Sequence, residues 1–300
     1  MSLTHQSVNV LCVGHASYDL VFSVAHHPEP DEKLFAESFI GCGGGPAANA
    51  AVMVAKLGFL VAFAGYLGND LYGDRHLQEL IDQGVSTEWL VRGASPTPLS
   101  TIVVKPDGKR ALINYKGDTQ ALAAGAIDFS GIQPSVILLD GHEPNISVPL
   151  ATQARQQGIP TVLDAGSLHT GTAALMTQVD YVVASEKFAC QLAGSTQAAL
   201  EQLAAQAPVA VITLGEQGLI WKRGDEQGTL PAFSVTAIDT TGAGDAFHGA
   251  FCAALAAKIS WLDVLRYASA AGSLCCTKIG ARLGLPDLAA HQALFSQGYN

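Results

Sequence analysis

Positive charge is scarce in this sequence. Sixteen Lys and Arg stand against 26 Asp and Glu in 300 residues, a formal net charge of -10 at pH 7. The basic residues do not cluster, and a nucleic-acid surface would need a basic stripe, so nucleic acid is not an expected partner. An anionic ligand remains open, because backbone N–H groups can hold one without many cations. Metal-binding cysteine patterns are missing too: Cys12, Cys42, Cys190, Cys252, Cys275 and Cys276 form no C-x-x-C pair and have no histidines at zinc spacing. Most lie in apolar runs, where Cys acts as a small hydrophobe, and a reducing cytoplasm suits this usage. No apolar run reaches membrane-spanning length before a Gly, Lys or Asp interrupts it. "MSLTHQSVNVLCVG" has no basic region ahead of a long apolar stretch, so neither a signal peptide nor a membrane partner is expected. No G-x-x-x-x-G-K-[ST] occurs, which removes a P-loop.

What the chain does have is apolar residue, 49% of it, with only 14% charged, the composition of a large packed interior. The runs "VNVLCVG", "LVAFAGYLG", "SVILLDG", "IPTVLDAG", "VDYVVAS" and "VAVITLG" are apolar at both alternate sets of positions, as in strands buried on both faces. Between them lie the helix-like "PAANAAVMVAKLG", "LYGDRHLQELIDQG", "VPLATQARQQG" and "QAALEQLAAQA". This alternation predicts an α/β fold, a parallel sheet wrapped by helices, in one domain over residues 1–300. Two stretches break the rhythm. "YDLVFSVAHHPEPDEKLFAESFI" reads as strand, Pro-rich turn, strand, and "PLSTIVVKPDGKRALINYKG" as a hairpin turned at "PDG". Their alternating pattern predicts a small sheet with one exposed face, inserted at about 17–40 and 98–117, either a lid over a pocket or a surface decoration.

Two glycine-rich segments carry chemistry. In "DTTGAGDAFHGAF" (239–251), Asp245 opens a helix directly behind Gly242, Ala243 and Gly244. A carboxylate there can simply cap the helix. The small residues also clear space for an anion against the helix's first N–H groups, with Asp245 beside it as a general base. In "GCGGGPAANAAVMVAKLG" (41–58), glycines precede a helix whose first turns hold Asn49. Gly43, Gly45 and Ala48 match a loose G-x-G-x-x-A, but the preceding "FAESFIG" belongs to the amphipathic insert and does not begin a dinucleotide fold.

Together with "GHASYD" and "VITLGEQG", in that order along the chain, these segments resemble the PfkB-type carbohydrate kinases of the ribokinase-like superfamily. "HPEPDEK", "GGGPAANAA" and "CTKIGARLGLP" look closest to the ketohexokinase and sulfofructose-kinase branch. The resemblance implies a three-layer α/β/α core with a mostly parallel sheet and a small β-sheet lid. It also implies ATP-dependent phosphorylation of a hydroxymethyl group on a small sugar or sugar acid, with Asp245 as base and Gly242, Ala243 and Gly244 forming an anion hole. Asp19, Gly44, Gly45, Asn49 and His142 would hold the sugar. Thr213, Gly215 and Gly218 would approach the ATP phosphates and ribose, with Ala268 and Gly272 beside the adenine unless they serve only helix packing. Asp239, Thr241, Cys275, Lys278 and Gly280 match a monovalent-cation loop that would take K+. Where many members carry Asn-x-x-Glu for Mg2+, this chain has Ser185 and Phe188, with Glu186 pointing elsewhere, so the ATP phosphates would supply most magnesium ligands. A homodimer through the lid is the expected partner state. Two alternatives share the fold: a nucleoside kinase, with Tyr18 or Phe22 as a platform for the base, and a catalytically silent sugar or nucleotide sensor.

Overall fold

The apolar runs of the sequence become the central strands of one sheet in the computed structural model, which describes residues 6–297. The strands are β1 (Gln6–Val13), β2 (Ser17–Ser23), β3 (Ser38–Gly44), β4 (Val61–Gly68), β5 (Ser86–Gly93), β6 (Leu99–Val104) and β7 (Arg110–Tyr115). They continue with β8 (Ile132–Leu139), β9 (Thr161–Ala165), β10 (Tyr181–Ser185), β11 (Val209–Thr213), β12 (Leu219–Arg223) and β13 (Glu226–Leu230). The helices are α1 (Pro46–Lys56), α2 (Leu71–Asp82), α3 (Pro144–Gln157), α4 (Thr170–Leu175) and α5 (Glu186–Ala193). After them come α6 (Thr196–Ala204), α7 (Ala243–Ala256), α8 (Trp261–Cys275), α9 (Ala281–Gly284) and α10 (Leu288–Gln297).

Nine strands form the large sheet in the order β13-β12-β11-β10-β9-β8-β1-β4-β5. All neighbours from β11 to β5 are parallel, and the β12–β13 hairpin closes the other edge antiparallel. Strand β1 shows why both faces had to be apolar. Val10 and Cys12 pack into one core with α1, α7 and α8, while Leu11 and Val13 pack into the other with α3, α5 and α6. That is a three-layer α/β/α arrangement. Helix α3 begins four residues before the run "VPLATQARQQG", at Pro144, where the ring presets the first helical turn; Pro149 then sits inside the helix.

The two irregular stretches form a single four-stranded sheet, β3-β2-β6-β7, whose central pair, β2 and β6, is parallel and whose outer pairs are antiparallel. Alternation sorts its side chains. Val21, Ile102 and Val104 face the body of the protein with Ile40 and Ile279. Phe39, Ile113 and Tyr115 stay exposed, at 56%, 70% and 54% of their surface. The chain leaves the large sheet at the end of β1 to build this second sheet, and after β5 it crosses back to β8 on β1's other side. The gap between β1 and β8 is therefore the point where strand order reverses, the place where open α/β sheets bind ligands at their carboxyl ends.

Candidate active site

Asp140, just past β8, ties that switch point together. Its Oδ2 accepts the His15 N–H at 2.7 Å and the Ala47 N–H at 3.2 Å, and its Oδ1 accepts the His142 N–H at 2.9 Å. The end of β1, the start of α1 and the end of β8 are thus fixed by one carboxylate. Gly45 caps α1 at φ 95°, and a Cβ there would stand 2.4 Å from the His15 carbonyl oxygen, so only glycine lets the two segments close. The buried Asn49 follows in the first turns of α1. Its Nδ2 donates to Asp245 Oδ2 at 2.7 Å, linking residues that are 196 positions apart.

Asp245 lies in the first turn of α7, behind Gly242 at φ 79°. A Cβ on Gly242 would stand 2.5 Å from the Ala281 Cβ, whereas one on Gly244 would meet nothing within 4 Å. Gly244 therefore borders open space. The N–H groups of Gly242, Gly244 and Asp245 have no partner among the described residues; the Ala243 N–H donates to the Thr240 carbonyl at 3.3 Å. The unpartnered N–H groups at this helix start thus lie either side of Ala243. Burial pushes the Asp245 carboxyl up to about 7, the charge of Asp164 adds to this, and the Asn49 amide opposes it. Asp164 is itself buried at the end of β9 and raised by that burial, with its Oδ2 3.4 Å from His248 Nδ1. His248 lies one turn beyond Gly244, its Nδ1 2.6 Å from the Gly244 carbonyl and its Nε2 3.1 Å from that of Val183.

On the lid side, Asp19 faces inward from β2 and accepts the Ser17 hydroxyl at 3.1 Å. Burial raises its carboxyl, while Ser17, Arg282 and Ser100 pull it down. A Cβ on Gly44 would lie 2.3 Å from the Asp19 carboxylate oxygens, so glycine there makes the room the carboxylate occupies. Behind this pair lies a buried polar network that sequence reading missed. Glu79 Oε2 accepts the Gly43 N–H at 2.6 Å, and Arg282 Nε donates to the Gly43 carbonyl at 3.2 Å. Arg282 also stands 3.3 Å from Glu79 Oε1 and donates to His76 Nε2 at 3.2 Å; burial and the guanidinium keep His76 well below its usual range. The α2, β3 and α9 segments are thereby locked around the glycine loop. Glu79 and His76 lie in the helix-like "LYGDRHLQELIDQG" and Arg282 in "CTKIGARLGLP", and nothing in either segment marks them as partners. The Asp140 hub had one usable signal: an acid closing a buried strand at its carboxyl end, "VILLD". The β12–β13 hairpin also went unread, although Gly224-Asp225 is a two-residue turn signal.

The other expected residues fall as follows. His142 follows β8 and stacks between His15 and His169. Thr213 ends β11, and Gly215 opens a short 3-10 turn that closes at Gly218 (φ 89°). Ala268 is fully buried in the core that α8 shares with α7. Gly272 is half-buried, and a Cβ on it would lie 3.2 Å from the Ala243 carbonyl. The cation-loop residues do come together. Asp239 Oδ2 accepts the Gly280 N–H at 2.8 Å, Oδ1 accepts the Thr241 N–H at 2.9 Å and hydroxyl at 2.6 Å, and Cys275 Sγ lies 3.5 Å from the Thr241 carbonyl. Lys278 is exposed beside them. From the lid, Arg110 Nη1 donates to the Thr241 hydroxyl at 2.6 Å and stands 3.4 Å from Asp239.

No group of three or more His, Cys, Asp or Glu suited to a metal occurs among the described residues. Ser185 caps α5 by accepting the Phe188 N–H, Phe188 is fully buried, and Glu186 is exposed. The two positions where the family motif would place Asn and Glu are thus a helix cap and a core residue, and neither carries a carboxylate. The aromatic platform is corrected: Tyr18 packs on Tyr72 and Phe22 on Phe39, and both alternate with Asp19, on the face opposite it. Among the described residues no helix is long and apolar enough to cross a membrane.

A family model described as pfkB family carbohydrate kinase matches residues 8–288. The chain belongs to that family. This carbohydrate kinase is similar to the ribokinase of Bacillus subtilis strain 168, 29% identical over 283 residues that cover 93% of this chain and 96% of the relative. It is also similar to fructokinase-2 of Oryza sativa subsp. japonica, 28% identical over 293 residues that cover 87% of each. Among solved structures, the ribokinase of Thermotoga maritima aligns with a TM-score of 0.87 at 25% identity, covering 96% of this chain and 99% of that one. The Arabidopsis thaliana ribokinase solved with ribose and ATP aligns with a TM-score of 0.84 at 24% identity, covering 97% and 99%, a likeness of fold. These relatives are ribokinases and fructokinases; they carry the family and ATP-dependent sugar phosphorylation, not the finer branch.

Proposed function

We propose that this carbohydrate kinase transfers the terminal phosphoryl of magnesium-bound ATP to a hydroxymethyl group of a small sugar, with Asp245 as general base. The Asn49–Asp245 hydrogen bond of 2.7 Å carries this reading. It fixes one carboxylate oxygen and leaves the other for the acceptor hydroxyl, beside the open ground at Gly244 and the unpartnered N–H groups at the α7 start. Those groups stabilise charge on the transferring phosphoryl. Asp19, Gly44, Gly45, Asn49 and His142 hold and orient the sugar, and Thr213, Gly215, Gly218 and Gly272 border the nucleotide. A K+ ion at Asp239, Thr241, Cys275, Lys278 and Gly280 would bind mainly through loop carbonyls, since the Asp239 oxygens are engaged by N–H and hydroxyl donors. The domain is a single unit of residues 1–300 acting in the cytoplasm.

The test is ADP release over ketoses, pentoses, aldonic acids and nucleosides, with the product's phosphate position read by phosphorus NMR. Phosphorylation at a primary hydroxyl supports the reading; silence toward every sugar, or turnover of nucleosides alone, overturns it. Replacing K+ by an organic cation should slow turnover if the loop is a cation site. The exposed Phe39, Ile113 and Tyr115 face of the lid suits a second copy of the same sheet. A strictly monomeric species at micromolar concentration would remove that dimer.

A further inference from the structure

A recess of about 450 Å3 opens at the carboxyl ends of β8 and β9, and of its lining only His142 has a role in the chemistry above. Lys116 reaches it from the end of lid strand β7, His142 from the end of β8 and His169 from the start of α4, over backbone at Gly141 and Gly171. His15 extends the row: its ring centroid is 5.0 Å from that of His142, which stacks on His169 at 4.9 Å and 26°. Two of the nine histidines and one of the 16 Lys and Arg therefore line one hollow of a chain with net charge -10, with His15 against the His142 ring behind them. The backbone N–H groups of His15 and His142 are committed to Asp140, but their ring nitrogens make no hydrogen bond among the described residues.

The acids around the row are already occupied. Asp140 accepts three backbone N–H groups. Glu143 accepts the Leu122 N–H at 2.6 Å and is pushed up to about 7 by burial, and Asp164 faces His248. What remains toward the hollow is Lys116 and imidazole. Burial and mutual repulsion lower His15 and His169. An anion in the hollow would reverse that repulsion, raise the imidazoles' proton affinity and turn their nitrogens into charge-assisted donors. Asp140 holds both the His142 N–H at the rim of the hollow and the Ala47 N–H in the helix that carries Asn49, the partner of Asp245, so the hollow adjoins the elements that position the base.

We infer that this recess binds an oxyanion carried by the sugar, on a carbon other than the one phosphorylated, so that the enzyme favours anionic over neutral sugars. The inference rests on the kinase reading for the sugar's identity, but its test is binding and needs no turnover. Calorimetry would compare D-gluconate with D-glucitol and D-fructose 6-phosphate with D-fructose. The anion of at least one pair should bind about tenfold tighter or more, one charge-assisted contact's worth. Its binding heat should vary with the buffer's ionisation enthalpy, reporting proton uptake. The first pair assigns a carboxylate, the second a phosphate. Lys116→Gln, at an exposed position, and His169→Gln should each shrink the preference toward one. Neither anion outbinding its neutral partner, or a preference that survives both substitutions, overturns the inference. Turnover of fructose without any anion preference would overturn it while leaving the kinase reading intact. An anion preference without ADP release from any sugar would support the recess and sink the kinase.

Discussion

Asp245 and Asp19 are both carboxylates raised by burial, yet the regions that carry them are built differently. Asp245 starts a helix that packs between α1 and α8, with Asn49 on one oxygen and unpartnered N–H groups beside it. Asp19 stands on a lid strand among the Ser17 hydroxyl, Ser100 and the Arg282 guanidinium, in a sheet whose outer face is open. Burial is common to both and so does not separate their roles. The surroundings do. A carboxylate held at one oxygen on rigid helices suits proton transfer, which demands fixed geometry. One among hydroxyl and guanidinium groups on a sheet that carries a loop suits holding a polyol.

The largest effect that would test this contrast is Asp245→Asn, which keeps size and hydrogen bonding but removes the base. It should lower kcat by about 10²–10⁴ while sugar and ATP binding by calorimetry stay close to wild type; near wild-type turnover would erase the distinction. The pH profile sharpens the same point. With the Asp245 carboxyl near 7 in the free enzyme, the base is ionised above that value and protonated below it. kcat/KM should therefore fall about tenfold per pH unit below the midpoint and level off above it. A profile flat down to pH 5 would argue against this carboxylate as the base.

Asp19→Ala comes next. Leaving sugar hydroxyls unpaired costs about 1–3 kcal/mol, roughly 5- to 150-fold in sugar KM, with the ATP KM little changed. Equal loss for both ligands would mean that the lid acid supports folding and not binding. The smallest effect belongs to the lid's outer face. Ile113→Thr, at a position 70% exposed, should change thermal stability by no more than about 0.5 kcal/mol. A larger loss of stability that depends on protein concentration would reveal a partner over that face.

Much of this was legible without coordinates because some signals are local. Strands such as "VNVLCVG" read correctly since a sheet covered on both faces needs apolar residues at every position. The small second sheet read correctly because half-exposed strands must alternate. Gly242, Gly244 and Asp245 stood out because small residues at a helix start leave space beside its first N–H groups. The Glu79–Arg282–His76 network was not, since its members come from segments up to 206 positions apart and each alone looks like a surface polar. Ala268 was ambiguous for the related reason that a small residue on a helix means either a nearby ligand or a nearby helix.

The sequence by itself determined the layered α/β plan, the inserted sheet and the place of the candidate base at the start of a helix, because periodicity and glycine spacing are properties of neighbours along the chain. Tertiary structure alone decided that Asn49 reaches Asp245, that Asp140 clamps three segments at the strand-order reversal, and that His142, His169 and Lys116 share one hollow with His15 behind His142. Those contacts join residues whose separation along the chain carries no pattern. They exist only because the crossover from β5 to β8 brings the two halves of the sheet side by side.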